Sequence, residues 1–308
     1  MPTLSTIVIL GTGGTIAGRS DDAADNVGYT AGQIGVAQLV AAVPALAARP
    51  LEAEQVAQLD SKDMDAATWL ALARRIAHHL AREDVAGIVV THGTDTLEET
   101  AWFLQRVLAP CKPVVLTAAM RPATALMADG PQNLLDAVAV AGTPGARGVV
   151  AAVAGRVIAA ADLRKVHTYR LDAFEAGDAG PVATIEEGVV RRFREWPAGD
   201  ALGLAALPED VAAWPRVEVL LSHAGADGRL VDALVAQGVR GIVVAGTGNG
   251  TVHRAMLEAL RRAQAAGVTV WRASRCAAGA VVGEAELSSA GAHSAVQARI
   301  ELMLRLLG

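Results

Sequence analysis

The chain has 308 residues, 52% hydrophobic but only 3% aromatic, with two cysteines and a net charge of -5 at pH 7. A chain of this length buries about three quarters of its unfolded surface, here in a core of Ala, Val, Leu and Ile, while its weak, interspersed charge excludes nucleic acid or an anionic membrane as the main partner. Two cysteines cannot build a disulfide framework, and every long apolar stretch is broken by Arg, Asp, Glu or Pro, so no membrane span is expected.

The first apolar run, TIVIL (6–10), reads as a strand and opens directly into GTGGTIAG (11–18). Glycines at such a corner let backbone N–H groups approach a ligand closely, because no Cβ intervenes. Two readings suit that geometry: a phosphate on the amides of a following helix, or a hydroxyl of Thr12 or Thr15 presented as a nucleophile. Residues 13–20, GGTIAGRS, depart from the phosphate-loop pattern by placing Arg19 where a lysine is needed. No apolar run ends directly in the aspartate that would complete a metal–phosphate site, and Ile16 stands where a dinucleotide fingerprint needs glycine. The nucleotide reading is set aside. MPTLSTIVIL carries neither a basic region nor a small-residue cleavage site, so a reducing, cytoplasmic setting is expected. The stretch RSDDAADNVGYT (19–30) lacks apolar periodicity and reads as a mobile lid that carries Tyr29.

Further along, GIVVTHGTD (87–95) predicts a strand that delivers Thr94 and Asp95, followed by the helical TLEETAWFLQRVL. KPVVLTAAM (112–120) precedes the helical GPQNLLDAVAVA, with Asp129, Gly130 and Asn133 shaping the loop and capping the helix. Between about 187 and 215 the rhythm fails among prolines and Arg191, Arg192 and Arg194, which read as a solvated interdomain connection. It resumes with the strands VEVLLSH (217–223), GIVVAGTGNG (241–250) and VTVWRAS (268–274) and the helical VHRAMLEALRRAQAAG. The expected architecture is α/β in two domains. A larger N-terminal domain (1–190) holds a mixed, mostly parallel sheet with flanking helices; a linker covers 191–213; a smaller parallel α/β domain covers 214–308. The loops GTGGT, THGTDT, AAMRP and GTGNGT all follow strands and are candidates for one shared site.

A threonine hydroxyl is a poor nucleophile until a base takes its proton. Tyr29, Asp95, Lys165 in DLRKVH and Glu286 are candidate acceptors or relays. No HExxH or paired CxxC occurs, so neither metal nor cofactor is expected.

With these motifs in place, the sequence resembles the bacterial-type L-asparaginase family, which includes the glutaminase-asparaginases. GTGGTIAG and THGTDTLEETA match its two signature segments, AMRPATALMADGPQNL (119–134) is similar to a third, and the similarity runs in register from about Thr6 to the last helix. The resemblance implies an L-asparagine amidohydrolase with weaker action on L-glutamine. A dual-specificity glutaminase-asparaginase and a catalytically silent amino-acid-binding module of the same fold are the alternatives. By the same resemblance, Thr15 attacks the side-chain amide carbon and Tyr29 assists it. Thr94, Asp95 and Lys165 form a second cluster that activates a hydroxyl or water, with His92 a hydrogen-bonded support and not a base. Ser61 would hold the substrate α-carboxylate and Asp95 its α-ammonium, and Lys62 would face the substrate backbone where relatives carry a glutamine, glutamate or serine. Asn249 and Glu286 would complete the pocket from a neighbouring subunit of a homotetramer built from close dimers. Cys111 matches half of a disulfide of some secreted relatives but has no partner cysteine in HHLAREDVAG, and Cys276 is expected to be a buried structural thiol.

Overall fold

The opening strand runs further than TIVIL suggests. In the computed structural model, which describes residues 5–307, β1 (Thr6–Gly13) continues through the first glycines, and its register against β2 (Leu51–Leu59) shifts between Gly11 and Gly13. A single 3-10 turn, Thr15–Ala17, follows, and the first α-helix, α1 (Val36–Ala41), begins much later. The corner therefore leads into no helix N-terminus, and the phosphate geometry considered above is not formed.

The chain divides into two compact units between Leu204 and Ala205. In the first, the central strands are β1, β3 (Val85–Thr91), β4 (Pro113–Thr117) and β5 (Gly148–Val153), parallel to one another and buried along almost their whole length. Such burial on both faces explains why they read as unbroken apolar runs and not as alternating ones. β2 is the parallel edge beyond β1. On the far side the sheet turns antiparallel through β6 (Arg156–Ala159). A separate two-stranded ribbon of β7 (Arg164–Lys165) and β8 (Phe174–Glu175) intervenes in the chain, before β9 (Ala183–Glu186) and β10 (Val189–Arg192) complete eight strands. The sheet is thus mixed and mostly parallel, as expected.

α1 and α4 (Gly130–Ala141) cover the face carrying Ile7, Ile9, Val89, Val115 and Val150. The other face takes α2 (Ala66–Leu80) and α3 (Leu97–Leu108), joined by a stack of Trp69 on Phe103 with ring centroids 5.1 Å apart. Asp65 caps α2 by accepting from the Thr68 amide at 2.8 Å. Asp129 precedes α4 but turns its carboxylate back onto the amides of Met120 and Arg121, at 2.9 and 3.0 Å, so it shapes the loop instead of capping.

The sequence between 187 and 215 is not all connection. Glu187 and Gly188 both have positive φ, 50° and 74°, which is the two-residue turn that matches strand twist in a hairpin, and β10 pairs back on β9 from it. Arg191 and Arg192 thus lie on an edge strand, and Arg194 donates to Asp162 at 2.6 Å and to the Ala179 carbonyl at 2.9 Å. Trp196, four residues beyond the strand, is buried in the core of this unit. These residues belong to the first unit and not to a solvated linker.

The second unit is a four-stranded parallel sheet in the order β11 (Val217–Leu221), β12 (Gly241–Gly246), β13 (Thr269–Ser274) and β14 (Ser288–Ser289). α5 (Arg229–Ala236) and α6 (Arg254–Ala265) pack on Ile242, Val244 and Val270. α7 (Ala295–Arg305), started by a capping box of Ser294 and Gln297, packs against β11, β12 and β13. Among the described residues no helix is long and apolar enough to cross a membrane. Both cysteines are exposed and free; the burial expected for Cys276 fails because it follows β13 on an open loop, where its amide donates to Ser274 Oγ at 3.0 Å.

Candidate active site

The glycines at the end of β1 are required by close approach of backbone to backbone. Gly13 has φ 101°, and a Cβ on it would lie 2.4 Å from the Leu59 carbonyl oxygen; Gly14 has φ 81°, and its Cβ would lie 2.3 Å from both N and Cα of Gly93. Gly93 belongs to the loop after β3, so the two glycine corners touch with nothing between them. A Cβ on Gly93 would in turn strike Ser61 Oγ at 2.3 Å. Three loops, each following a strand of the same sheet, are locked together here. The Gly14 amide is committed to the Leu59 carbonyl at 2.8 Å, so it is not the free donor that a glycine corner suggests.

This contact sorts the two threonines of GTGGT. Thr12 is buried and its hydroxyl donates to the Thr91 carbonyl at 2.9 Å, binding β1 to β3. Thr15 lies past the glycines, and its Oγ1 is 2.6 Å from the phenolic oxygen of Tyr29. Tyr29 reaches it from a loop closed at its base by a backbone bridge between Arg19 and Thr30 and tied to the next loop by Thr124 on Ser20 and by the Leu126 amide on the Ala23 carbonyl. Burial raises the Tyr29 phenol above its ordinary value, opposed by the Thr15 hydrogen bond and reinforced by Asp60 and Asp95, so it is neutral at pH 7.

On the second corner, Lys165 Nζ donates to Thr94 Oγ1 at 2.9 Å and to Asp95 Oδ1 at 2.6 Å. The Asp95 amide donates to Ser61 Oγ at 3.2 Å, and Thr96 Oγ1 donates to the Ser61 carbonyl at 2.8 Å. Lys165 arrives on β7, whose position depends on its pairing with Phe174. His92, fully buried, donates from Nδ1 to the Gly93 carbonyl at 2.7 Å; this leaves Nε2 to accept from Thr100, which accepts from the Trp69 indole. Burial drives its pKa down to about 4. The imidazole is a neutral brace behind the corner, in keeping with the role expected for it.

The asparaginase N-terminal family model matches residues 6–198, and the glutaminase/asparaginase C-terminal model matches 216–307. The chain belongs to the asparaginase family. It is 38% identical to L-asparaginase 2 of Bacillus subtilis over 98% of its own length and 83% of that protein's. It is also 38% identical to the glutaminase-asparaginase of Pseudomonas fluorescens, covering 91% and 78% of the two chains. The crystal structure of a probable cytoplasmic L-asparaginase from Campylobacter jejuni superposes with a TM-score of 0.92 at 37% identity, covering 98% of this chain and 95% of that one.

Three residues expected at the asparaginase-family site have other partners here. Lys62 is exposed and its ammonium lies on Asp63, 3.9 Å from Asp60, so its charge is matched locally. Asn249 and Glu286 lie in the second unit: the Asn249 amide is bonded to Val282, and the Glu286 carboxylate is gripped by both Nε and Nη2 of Arg261.

One residue escaped the sequence reading. Glu98, in the first turn of α3 and three residues past Asp95, has Oε2 buried with no hydrogen-bond partner among the described residues. Burial pushes its carboxyl up to about 7, against Arg164 and Lys165, which lower it, and with Glu99, which raises it. A carboxyl raised above its ordinary 4.5 binds its proton more tightly when folded, so stability is lost as pH rises from about 4.5 to about 7. Glu98→Gln removes that loss: thermal melts of the two proteins should converge at acid pH, with the variant the more stable at pH 8, and parallel curves across the window would refute the assignment.

Proposed function

We propose that the protein is an L-asparagine amidohydrolase that releases L-aspartate and ammonia, with weaker action on L-glutamine. The observation that carries this reading is the pair of hydroxyls on interlocked corners, Thr15 bonded to Tyr29 and Thr94 bonded to Lys165. Thr15 Oγ1 attacks the side-chain amide carbon as its proton passes to the oxygen of the neutral Tyr29 phenol, whose own proton moves on to water; when the ester is hydrolysed the same path runs in reverse and returns a proton to Thr15 Oγ1. The C–N bond breaks once the leaving nitrogen is protonated. Thr94 supplies that proton and is resupplied by the Lys165 ammonium. Water then hydrolyses the Thr15 ester, with the same pair, now lacking the proton, as its base; the two steps restore Thr15 and Lys165.

In this reading Ser61 holds the α-carboxylate and Asp95 the α-ammonium of the amino acid, supported by the half exposure of Asp95 beside the relay. We further infer a homotetramer of close dimers in which Asn249 and Glu286 of a neighbouring copy complete the pocket, and a lid formed by residues 19–30. A cytoplasmic location is part of the same reading, in line with the name given to the Campylobacter jejuni protein, although a Haemophilus influenzae relative is named periplasmic.

Purified protein mixed with L-asparagine should release ammonia and L-aspartate in equal amounts; no release would leave an amino-acid-binding module. The Pseudomonas relative's name keeps dual specificity in view. One methylene in a pocket is worth only about 1 to 3 kcal/mol, so the ratio of kcat/KM for the two amides decides between the readings. Mixing Thr15→Ala with Glu286→Ala, both inactive alone, should restore part of the activity in hybrids. An active monomer in light scattering would remove the shared pocket.

A further inference from the structure

The residues that follow β13, 275–287, form no helix or strand, yet they have one defined course because of an arginine beneath them. Arg272, on β13, is 6% exposed and has no carboxylate bonded to it among the described residues. Its guanidinium is satisfied by carbonyl oxygens alone: Nε donates to Leu287 at 3.1 Å, Nη1 to Asn249 at 3.2 Å and Nη2 to Gly283 at 2.5 Å. A buried cation is tolerated only when its donors are matched, and the planar fork reaches three separate backbone points as no ammonium could. Asn249 adds a second fixing point. Its amide donates to the Val282 carbonyl and its oxygen accepts from the Val282 amide, both at 2.8 Å. Val281 is buried against Gly250, and its amide donates to the Gly291 carbonyl at 3.0 Å. Glu286 rides on the segment so held.

We propose that Arg272 is a positioning residue for the amino-acid pocket: with Asn249 it fixes the course of residues 281–287 and thereby the place from which Glu286 serves the substrate. Asn249 then acts on the substrate through Val282, because both of its amide groups are committed there. The inference rests on the pocket reading given above, and its test separates the two.

Arg272→Lys keeps the charge and loses the fork. Hydrogen exchange should quicken at least about tenfold at the amides of Val281 and Val282 while the amides of β12 keep their rates, the mark of local opening and not of global destabilisation. With asparagine as substrate, KM should rise about tenfold and kcat stay within about twofold, and in a Glu286→Gln background the added KM effect should vanish, since residues acting as one unit do not add. Unchanged exchange at Val282, equal acceleration in β12, or a KM effect that persists in full without Glu286 each overturns the proposal. Should the wild type release no ammonia, the pocket reading fails while the exchange measurement still decides the clamp. If Arg272→Lys does not fold, Asn249→Asp, which loses the donor to the Val282 carbonyl, is read in the same two ways.

Discussion

Thr15→Val is expected to lower kcat for asparagine by at least about 10³-fold while leaving aspartate binding nearly intact, the scale on which removal of a nucleophile is felt when binding groups remain. Valine keeps the branched shape of threonine, so Tyr29 loses its 2.6 Å partner but little of its packing. Thr12→Val is the matched control. It removes the hydroxyl bonded to the Thr91 carbonyl and leaves that buried oxygen short of a donor, which costs about 1 to 3 kcal/mol of stability. Turnover by the folded fraction should be close to normal. Steady-state kinetics with thermal melts distinguish the two variants, and the reverse pattern would move the nucleophile to Thr12.

The second large effect is expected at Lys165. Lys165→Met should reduce kcat by about 10²- to 10⁴-fold, the range associated with a positioned proton-transfer group. It removes the single donor that Thr94 and Asp95 share at 2.9 and 2.6 Å. Lys165→Arg should not restore the rate, because a guanidinium keeps its charge but does not release a proton at neutral pH. If Thr94 and Lys165 act as one relay, Thr94→Val combined with Lys165→Met is no slower than the worse single variant. Multiplying losses, or a fast arginine variant, would reduce Lys165 to an electrostatic neighbour of Asp95.

Much of this arrangement is written in short apolar runs and in the glycine signatures, because strands buried on both faces leave a signal that needs no partner to be read. β1, β3, β4 and β12 all carry it. β2 does not: LEAEQVAQL mixes half-buried glutamates and aliphatics with exposed glutamines, as an edge strand can. β10 is four residues long with two arginines, and only the Glu187–Gly188 turn betrays it. At the site, residue types offered Thr12 or Thr15 as nucleophile and Tyr29, Asp95, Lys165 and Glu286 as relays, and only the family resemblance chose Thr15 and joined Thr94 to Asp95 and Lys165. Glu98 was hidden, because a glutamate in the first turn of a helix ordinarily complements the helix dipole in solvent and nothing local announces that one carboxyl oxygen of this one is buried. The local matching of Lys62 by Asp63 and the grip of Arg261 on Glu286 depend on side-chain directions that spacing does not encode.

The contact between Gly14 and Gly93 acts as a caliper. Because the two corners meet through main-chain atoms, with no side chain that another rotamer or a smaller residue could shorten, the span between the hydroxyls they carry is set by the sheet itself. A substrate one methylene longer cannot be accommodated by sliding one corner away from the other without opening the floor of the site. On the reading proposed above, any drift in this lineage between four-carbon and five-carbon amides must then occur at the amino-acid end of the substrate, while the two corners stay fixed.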